Sequence, residues 1–390
     1  MNNRFWFGNA SVSWEEFISS YWRKKPVHVS AASIEEHVNS QLADSLTTQN
    51  LLQLCQNELI ESRLIDLKDG EYNLQFGPFE LVELPQDSML MVQGLESHLL
   101  VISDYLRHSF SFLPRWRIDD VMASYANENT SCGPHFDHYD VFLVQIRGNK
   151  LWHLDDGHHK DTDLSPSAAI RLLQDFQATE VVKQQPGDIL YIPPGTGHWG
   201  VASNDSLTLS VGIRNPTLQE MISHLADRIG DELDTGLTLD DSLTTQGNGI
   251  SEQITLTMRN KMADTMLNPS LLNQWFGVYM TELREPELIS IPDHKLTDND
   301  IIDKLESRQA IRCHLATRLA YQVTGDKLAL YVNGESYSVS ASDLSWLTPL
   351  EADRQVESHL LAITPDSIHV LSSLIHSGAV AFGPPGTNRR

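Results

Sequence analysis

Two imidazoles and a carboxylate in this chain have the types and spacing to hold a metal ion. In Cys132-Gly133-Pro134-His135-Phe136-Asp137 an extended backbone would send alternate side chains to opposite faces, so His135 and Asp137 point one way and Phe136 the other. Two ligands hold a divalent ion poorly, and the best third candidate is His198, in Gly187-Asp188-Ile189-Leu190-Tyr191-Ile192-Pro193-Pro194-Gly195-Thr196-Gly197-His198. Two nitrogens and one oxygen on one face of an octahedral ion leave three adjacent positions open, the arrangement associated with non-haem Fe(II) chemistry on dioxygen. A bidentate oxo acid would fill two of these and dioxygen the third. Lys150, opening the run after Gly148-Asn149, reads alone as an edge-strand lysine facing water; beside the three ligands it would anchor the far carboxylate of that oxo acid. An H-x-D pair alone occurs by chance in many chains. The apolar run that follows it, the turn, the lysine and the distant Pro-Pro-Gly-x-x-His give it weight.

Such ligands need a scaffold of short strands. From about Arg117 to Val211, β-rich runs (Val121 to Tyr125, Tyr139 to Ile146, Lys150 to Leu154, Asp188 to Ile192, Ser206 to Ile213) are separated by Gly, Pro, Asn and Asp, the pattern of a sandwich or barrel. Gly148-Asn149 reads as a two-residue hairpin turn, and Ala168 to Phe176 as a helical insertion. Upstream, Ser13-Trp14-Glu15-Glu16 has capping-box spacing and opens an amphipathic helix that Pro26 stops. Val27-His28-Val29 reads as a strand and Ile34 to Ile65 as mainly helical. After Pro216 come two helical stripes, Met221, Ile222, Leu225 and Ile229, then Leu271, Leu272, Trp275, Phe276 and Tyr279, separated by a flexible break at Thr244 to Gly249. A second subunit could bury the latter stripe. From about Thr297, helices at Ile311 to Leu319, Val356 to Leu361 and Ile368 to Ile375, an Asn333-Gly334 hairpin and a strand at Ala379 to Phe382 suggest a winged helix.

Length and charge bound the rest. A chain of 390 residues exceeds one ordinary domain, and 52 acidic against 28 basic residues give a net charge of −24. That balance disfavours nonspecific attraction to nucleic acid or anionic membrane and would draw in a basic partner. Acidic residues near a barrel mouth, with Asp140 one candidate, would serve as the attractor. Three widely spaced cysteines, no membrane-length apolar run and no signal-peptide core at the start fit a cytoplasmic protein. Cys132, His28, His138 and His153 are assigned to packing or solvent, and His158-His159 to a solvated loop.

The runs Gly133-Pro134-His135-Phe136-Asp137 and Asp140-Val141-Phe142-Leu143-Val144-Gln145, Lys150 fifteen positions after His135, and Gly187 to Gly195 with His198 resemble the Jumonji-C oxygenases that depend on Fe(II) and 2-oxoglutarate. More narrowly they are similar to the bacterial ribosomal oxygenases, cupin-type arginine hydroxylases of a large-subunit ribosomal protein. The resemblance spans nearly the whole chain. It implies an α+β architecture: a double-stranded β-helix (cupin/Jumonji-C) barrel with N-terminal helices over 1–215, a helical dimerisation region over 216–296 and a winged-helix-like domain over 297–390. It also implies His135, Asp137 and His198 as metal-binding catalytic residues, Lys150 as 2-oxoglutarate anchor, and Ser124 and Ser210 as hydroxyl partners of that co-substrate. Fe(II), dioxygen, a basic ribosomal protein substrate and a homodimer complete the expectation. Bacterial members can carry arginine as the anchor, whereas eukaryotic relatives, some of them histidyl hydroxylases, carry lysine. Either cation binds a carboxylate, so histidyl hydroxylation stays open beside arginyl. N-methyl demethylation and a non-catalytic acidic binding module stay open too.

Overall fold

The computed structural model describes residues 13–30, 36–166, 170–232, 250–325 and 327–383. The chain forms two compact units, Met1–Asn215 and Pro216–Arg390. The strands of the first are β1 (Val27–Val29), β2 (Ser62–Lys68), β3 (Glu71–Phe76), β4 (Ser88–Val92), β5 (Ile118–Ala126), β6 (Asp140–Arg147), β7 (Lys150–His158), β8 (Glu180–Gln184), β9 (Ile189–Ile192), β10 (Thr196–Ala202) and β11 (Ser206–Ile213). They pair antiparallel in two sheets, ordered β1-β9-β6-β11-β5-β4-β2-β3 and β10-β7-β8, the double-stranded β-helix that the family resemblance implies.

The burial of β6 shows why its sequence is an unbroken apolar run. Val141 and Leu143 fill the space between the sheets with Leu190, Ile192, Trp152, Leu154 and Val182. On its other face Phe142 and Val144 join Phe17, Leu51, Tyr105 and Phe110 of the N-terminal helical layer. With both faces covered, the strand has no solvent side to make polar, and each large apolar side chain so buried contributes about 1.5–3 kcal/mol.

Three sequence expectations are corrected in this unit. The stretch expected to be helical through Ile65 becomes strand at Ser62, and β2, β3 and β4 extend the large sheet. Gly148-Asn149 is a corner rather than a hairpin turn, because β6 and β7 pair in different sheets. Residues 170–176 are not helical, and Leu173 instead bridges to Leu164; Ala168 and Ala169 lie outside the described residues.

Asp140 is the fourth correction. It shares a face with Phe142 and Val144, away from the barrel interior, and is fully buried rather than placed to steer a partner. Tyr191 donates its hydroxyl proton to Asp140 Oδ1 at 2.5 Å, Arg23 Nε lies 3.3 Å from Oδ2, and the Arg23 amide donates to Tyr191 Oη at 2.8 Å. Burial pushes the Asp140 carboxyl up, against the pull of Tyr191 and Arg23. Asp140→Ala would leave the Tyr191 hydroxyl without its acceptor, a loss of about 1–3 kcal/mol in urea denaturation. An unchanged midpoint would show that this network contributes nothing.

The second unit comprises helices Leu218–Glu232, Glu252–Met266, Pro269–Thr281, Asp298–Glu306, Leu344–Asp353 and Pro365–His376, with short sheets around Ala310–Cys313 and Lys327–Val332. The Asn333-Gly334 turn has φ of 53° and 84°, as the expected hairpin requires. Ile311 to Leu319 is not a helix, and Val356 to Leu361 holds only a single 3-10 turn, Ser358–Leu360, after a two-residue strand. Ala310–Cys313 is a strand paired with Gln355–Val356 and Val380–Gly383. Apolar runs this short fit either period, and the partner strands decide between them. The break at Thr244 to Gly249 lies outside the described residues.

Candidate metal centre

His135 and Asp137 sit on the loop between β5 and β6, and His198 sits inside β10. A two-residue bridge joins the two stretches: His135 N–H donates to His198 O at 3.0 Å and His198 N–H to His135 O at 2.8 Å. The Gly195 amide donates to Asp137 O at 2.8 Å, tying down the end of the loop. One ligand atom from each of the three side chains lies within 4.8 Å of the others.

Both imidazoles are oriented through their outer nitrogen. His135 Nδ1–H donates to Gly133 O at 2.9 Å and His198 Nδ1–H to Thr196 O at 3.0 Å. That fixes the tautomer and leaves each Nε2 lone pair for a ligand; His198 Nε2 is 3.6 Å from Asp137 Oδ2. Burial, with the charge on His135 adding to it, pushes His198 down to about 4, so it is neutral and able to coordinate. His135 is opposed by burial yet goes up to about 10, because Cys132, 3.8 Å from its Nδ1, and Asp137 outweigh that penalty. The proton that this shift places on His135 Nε2 is the one a metal ion would displace on binding, and the donor set of two imidazoles and one carboxylate fits Fe(II).

Lys150 enters the barrel opposite Ala202 on β10, four residues along from His198. It is only 2% exposed, its Nζ lies 4.8 Å from the centre of the Trp152 ring, and no acidic side chain among the described residues forms an ion pair with it. Burial pushes its pKa down. An ammonium buried without a carboxylate is costly unless a ligand brings one, which is what the far carboxylate of 2-oxoglutarate would do. Ser124 and Ser210 face the same interior: Ser124 pairs with Thr208, and Ser210 with Met122 and Leu143. Ser124 makes only a long 3.4 Å contact to Thr208 O, so its hydroxyl can turn toward a ligand.

Sequence reasoning did not single out the polar groups that share this interior. Gln145 accepts from the Thr208 hydroxyl at 2.9 Å, and Gln184 accepts from Trp152 Nε1 at 2.7 Å while donating to Leu143 O at 2.6 Å. For Gln145 the signal was a glutamine after the apolar run Val141 to Val144; Gln184, in Glu180-Val181-Val182-Lys183-Gln184, had none. Cys132 packs against the cluster of Met89, Ala126 and Ala202. His28 pairs with Asp188, His138 is exposed beside Asp161 and His153 lies against Trp199. His159 is a correction: it is mostly buried, 3.2 Å from Asp155 and stacked on Phe136, not in a solvated loop.

Residues 105–221 match the family model of the JmjC domain, and residues 260–381 that of the ROXA-like winged helix. The chain is 28% identical over 330 residues to the ribosomal protein uL16 3-hydroxylase of Escherichia coli strain K12, covering 83% of this chain and 85% of that one. It is 29% identical over 337 residues to the probable ribosomal oxygenase of Haemophilus influenzae, covering 82% and 81%. Among solved structures, YcfD, a ribosomal oxygenase from Escherichia coli in complex with cobalt and 2-oxoglutarate, aligns with a TM-score of 0.80 at 26% identity, over 96% of this chain and 99% of that one.

Proposed function

Because this chain is a JmjC-domain protein with a ROXA-like winged helix, homologous to the ribosomal oxygenases, we propose that it hydroxylates an arginine side chain of a large-subunit ribosomal protein. It is an enzyme, a 2-oxoglutarate-dependent dioxygenase, with Fe(II), 2-oxoglutarate and dioxygen as cofactor and co-substrates. In this reading His135, Asp137 and His198 are the metal-binding catalytic residues, and Lys150, Ser124 and Ser210 bind 2-oxoglutarate. The carrying observation is that three converging ligand atoms share a barrel with a buried ammonium that pairs with no carboxylate among the described residues.

Bound together, iron, 2-oxoglutarate and dioxygen supply an oxidant that puts one oxygen atom into a C–H bond while the oxo acid is split to succinate and carbon dioxide. The chain's own work is positional. The two Nδ1–H bonds aim the imidazoles, Asp137 supplies the anionic donor, and Lys150 holds the oxo acid by its far end. Trp152, Leu143 and Leu190 make the surrounding wall apolar and exclude water.

A net charge of −24 suits a basic substrate. Incubation with Fe(II), 2-oxoglutarate and isolated ribosomal proteins should give a one-oxygen gain on an arginine, read by fragment mass spectrometry. A gain on histidine would redirect the assignment to that side chain; loss of a methyl group, or no gain on any protein, would overturn it.

The remaining organisation belongs to the same reading: a catalytic barrel over 1–215, a helical dimerisation region over 216–296, a winged helix over 297–390, and a cytoplasmic location beside the ribosomal substrate. No helix among the described residues is long and apolar enough to cross a membrane. Helix Glu252–Met266 supports a homodimer, since it has no buried residue yet leaves Leu256, Met258 and Met262 exposed. Sedimentation showing a single chain at micromolar concentration would remove the dimer.

A further inference from the structure

The loop that carries His135 converges on one hydroxyl. Ser131 Oγ accepts from Trp199 Nε1 at 2.9 Å and from the Gly133 amide at 3.2 Å, and lies 3.0 Å from Tyr72 Oη. A serine hydroxyl has two acceptor sites and one proton. The indole and the amide can only donate, so both acceptor sites are taken and the Ser131 proton goes to Tyr72.

Each of these partners bears on the metal centre. Trp199 follows His198 in β10. Gly133 holds the carbonyl that accepts the His135 Nδ1 proton at 2.9 Å. Tyr72, from β3, lays its ring against Gly133 so closely that a Cβ there would meet Tyr72 Cε2 at 2.9 Å. Gly133 also has φ of 78°, a conformation that glycine adopts without strain. Gly133 is thus gripped by a hydrogen bond at its amide and a ring against its Cα, and its carbonyl, one rotatable bond further on, sets the plane of the imidazole.

We propose that Ser131 is a positioning residue for the metal site, the centre of a Tyr72–Ser131–Trp199 clamp that fixes the Gly133 carbonyl and through it the orientation of His135. The inference rests on the reading of His135 as a metal ligand and names what holds that ligand in place. Outer partners of ligating histidines carry about 10–100-fold in metal affinity, and Ser131 acts one step further out through Gly133.

The test is a Co(II) titration of the full-length protein by calorimetry and visible absorption, with a thermal melt of each variant. Ser131→Ala should weaken Co(II) binding about 10-fold, the low end of that range, and alter the absorption of the bound ion. Ser131→Thr keeps the hydroxyl and should restore most of the affinity, a rescue that a mere change in packing would not give. Tyr72→Phe keeps the ring on Gly133 but removes the acceptor, and should give a smaller loss in the same direction. A folded Ser131→Ala protein with wild-type Co(II) affinity would overturn the clamp. Should Ser131→Ala not fold, Tyr72→Phe decides: weaker Co(II) binding supports the clamp and unchanged binding overturns it. Failure of the wild-type protein to bind Co(II) would instead overturn the metal-ligand reading, and this inference with it.

Discussion

Asp137→Ala should reduce 2-oxoglutarate turnover to background, with metal affinity falling about 100- to 1,000-fold. The magnitude follows from the ligand count. Four-ligand zinc sites are worth about 10–16 kcal/mol, roughly 2.5–4 kcal/mol per ligand, and each 1.36 kcal/mol is a factor of ten. Asp137 is also the one anionic member of the triad, so its loss removes charge as well as a donor. His198→Ala should behave similarly, though it removes a buried side chain and costs some stability. Succinate formation, Co(II) affinity and a melt, measured together, separate loss of the site from loss of the fold. A folded Asp137→Ala protein that keeps wild-type turnover would exclude this carboxylate as a ligand.

Lys150→Met should act in two directions at once. With the ammonium gone, the far carboxylate of 2-oxoglutarate would be buried without a partner, which costs about 2–5 kcal/mol and raises KM roughly 30-fold or more. The protein without co-substrate should become as stable or more so, by about 1–4 kcal/mol, because a buried charge lacking a counter-ion has been replaced by an apolar chain. A surface lysine would show neither effect. The sign of the pH response follows from the same burial. The Lys150 pKa is lowered in the folded chain, so over the range between that value and the ordinary lysine value the unfolded chain binds a proton that the folded one has released, and stability without co-substrate rises with pH. Binding of the dianionic oxo acid needs the ammonium form, so KM for 2-oxoglutarate should rise over the same range. A KM that Lys150→Met leaves unchanged would assign the anchor to another residue.

How much of this was legible depended on whether a residue's role was written in its neighbours along the chain. His135 and Asp137 were visible because a strand-like spacing puts i and i+2 on one face, and Lys150 because it opens a strand at the foot of a Gly-Asn turn. His198 was found by the glycines and prolines around it, but the strand that carries it was not: Thr196-Gly197-His198-Trp199-Gly200 has too little β propensity to announce itself, and its pairing with β7 makes it a strand. Strands β2 and β3 were missed although Asp69-Gly70 between them has φ of 53° and 82°, the positive-φ turn its sequence permits. Asp140 was misplaced because an acidic residue at the head of a strand looks solvated until the residues packed on it are known. Ser131 had no local signature, since Tyr72 and Trp199 come from 59 residues before it and 68 after it.

The reciprocal main-chain bonds between His135 and His198 use no ligand atoms, so the cage keeps its shape whether or not an ion is inside. Loading is then a matter of exchange rather than refolding: a chelator should strip the ion from an intact barrel, and replenishment should revive the enzyme without a chaperone.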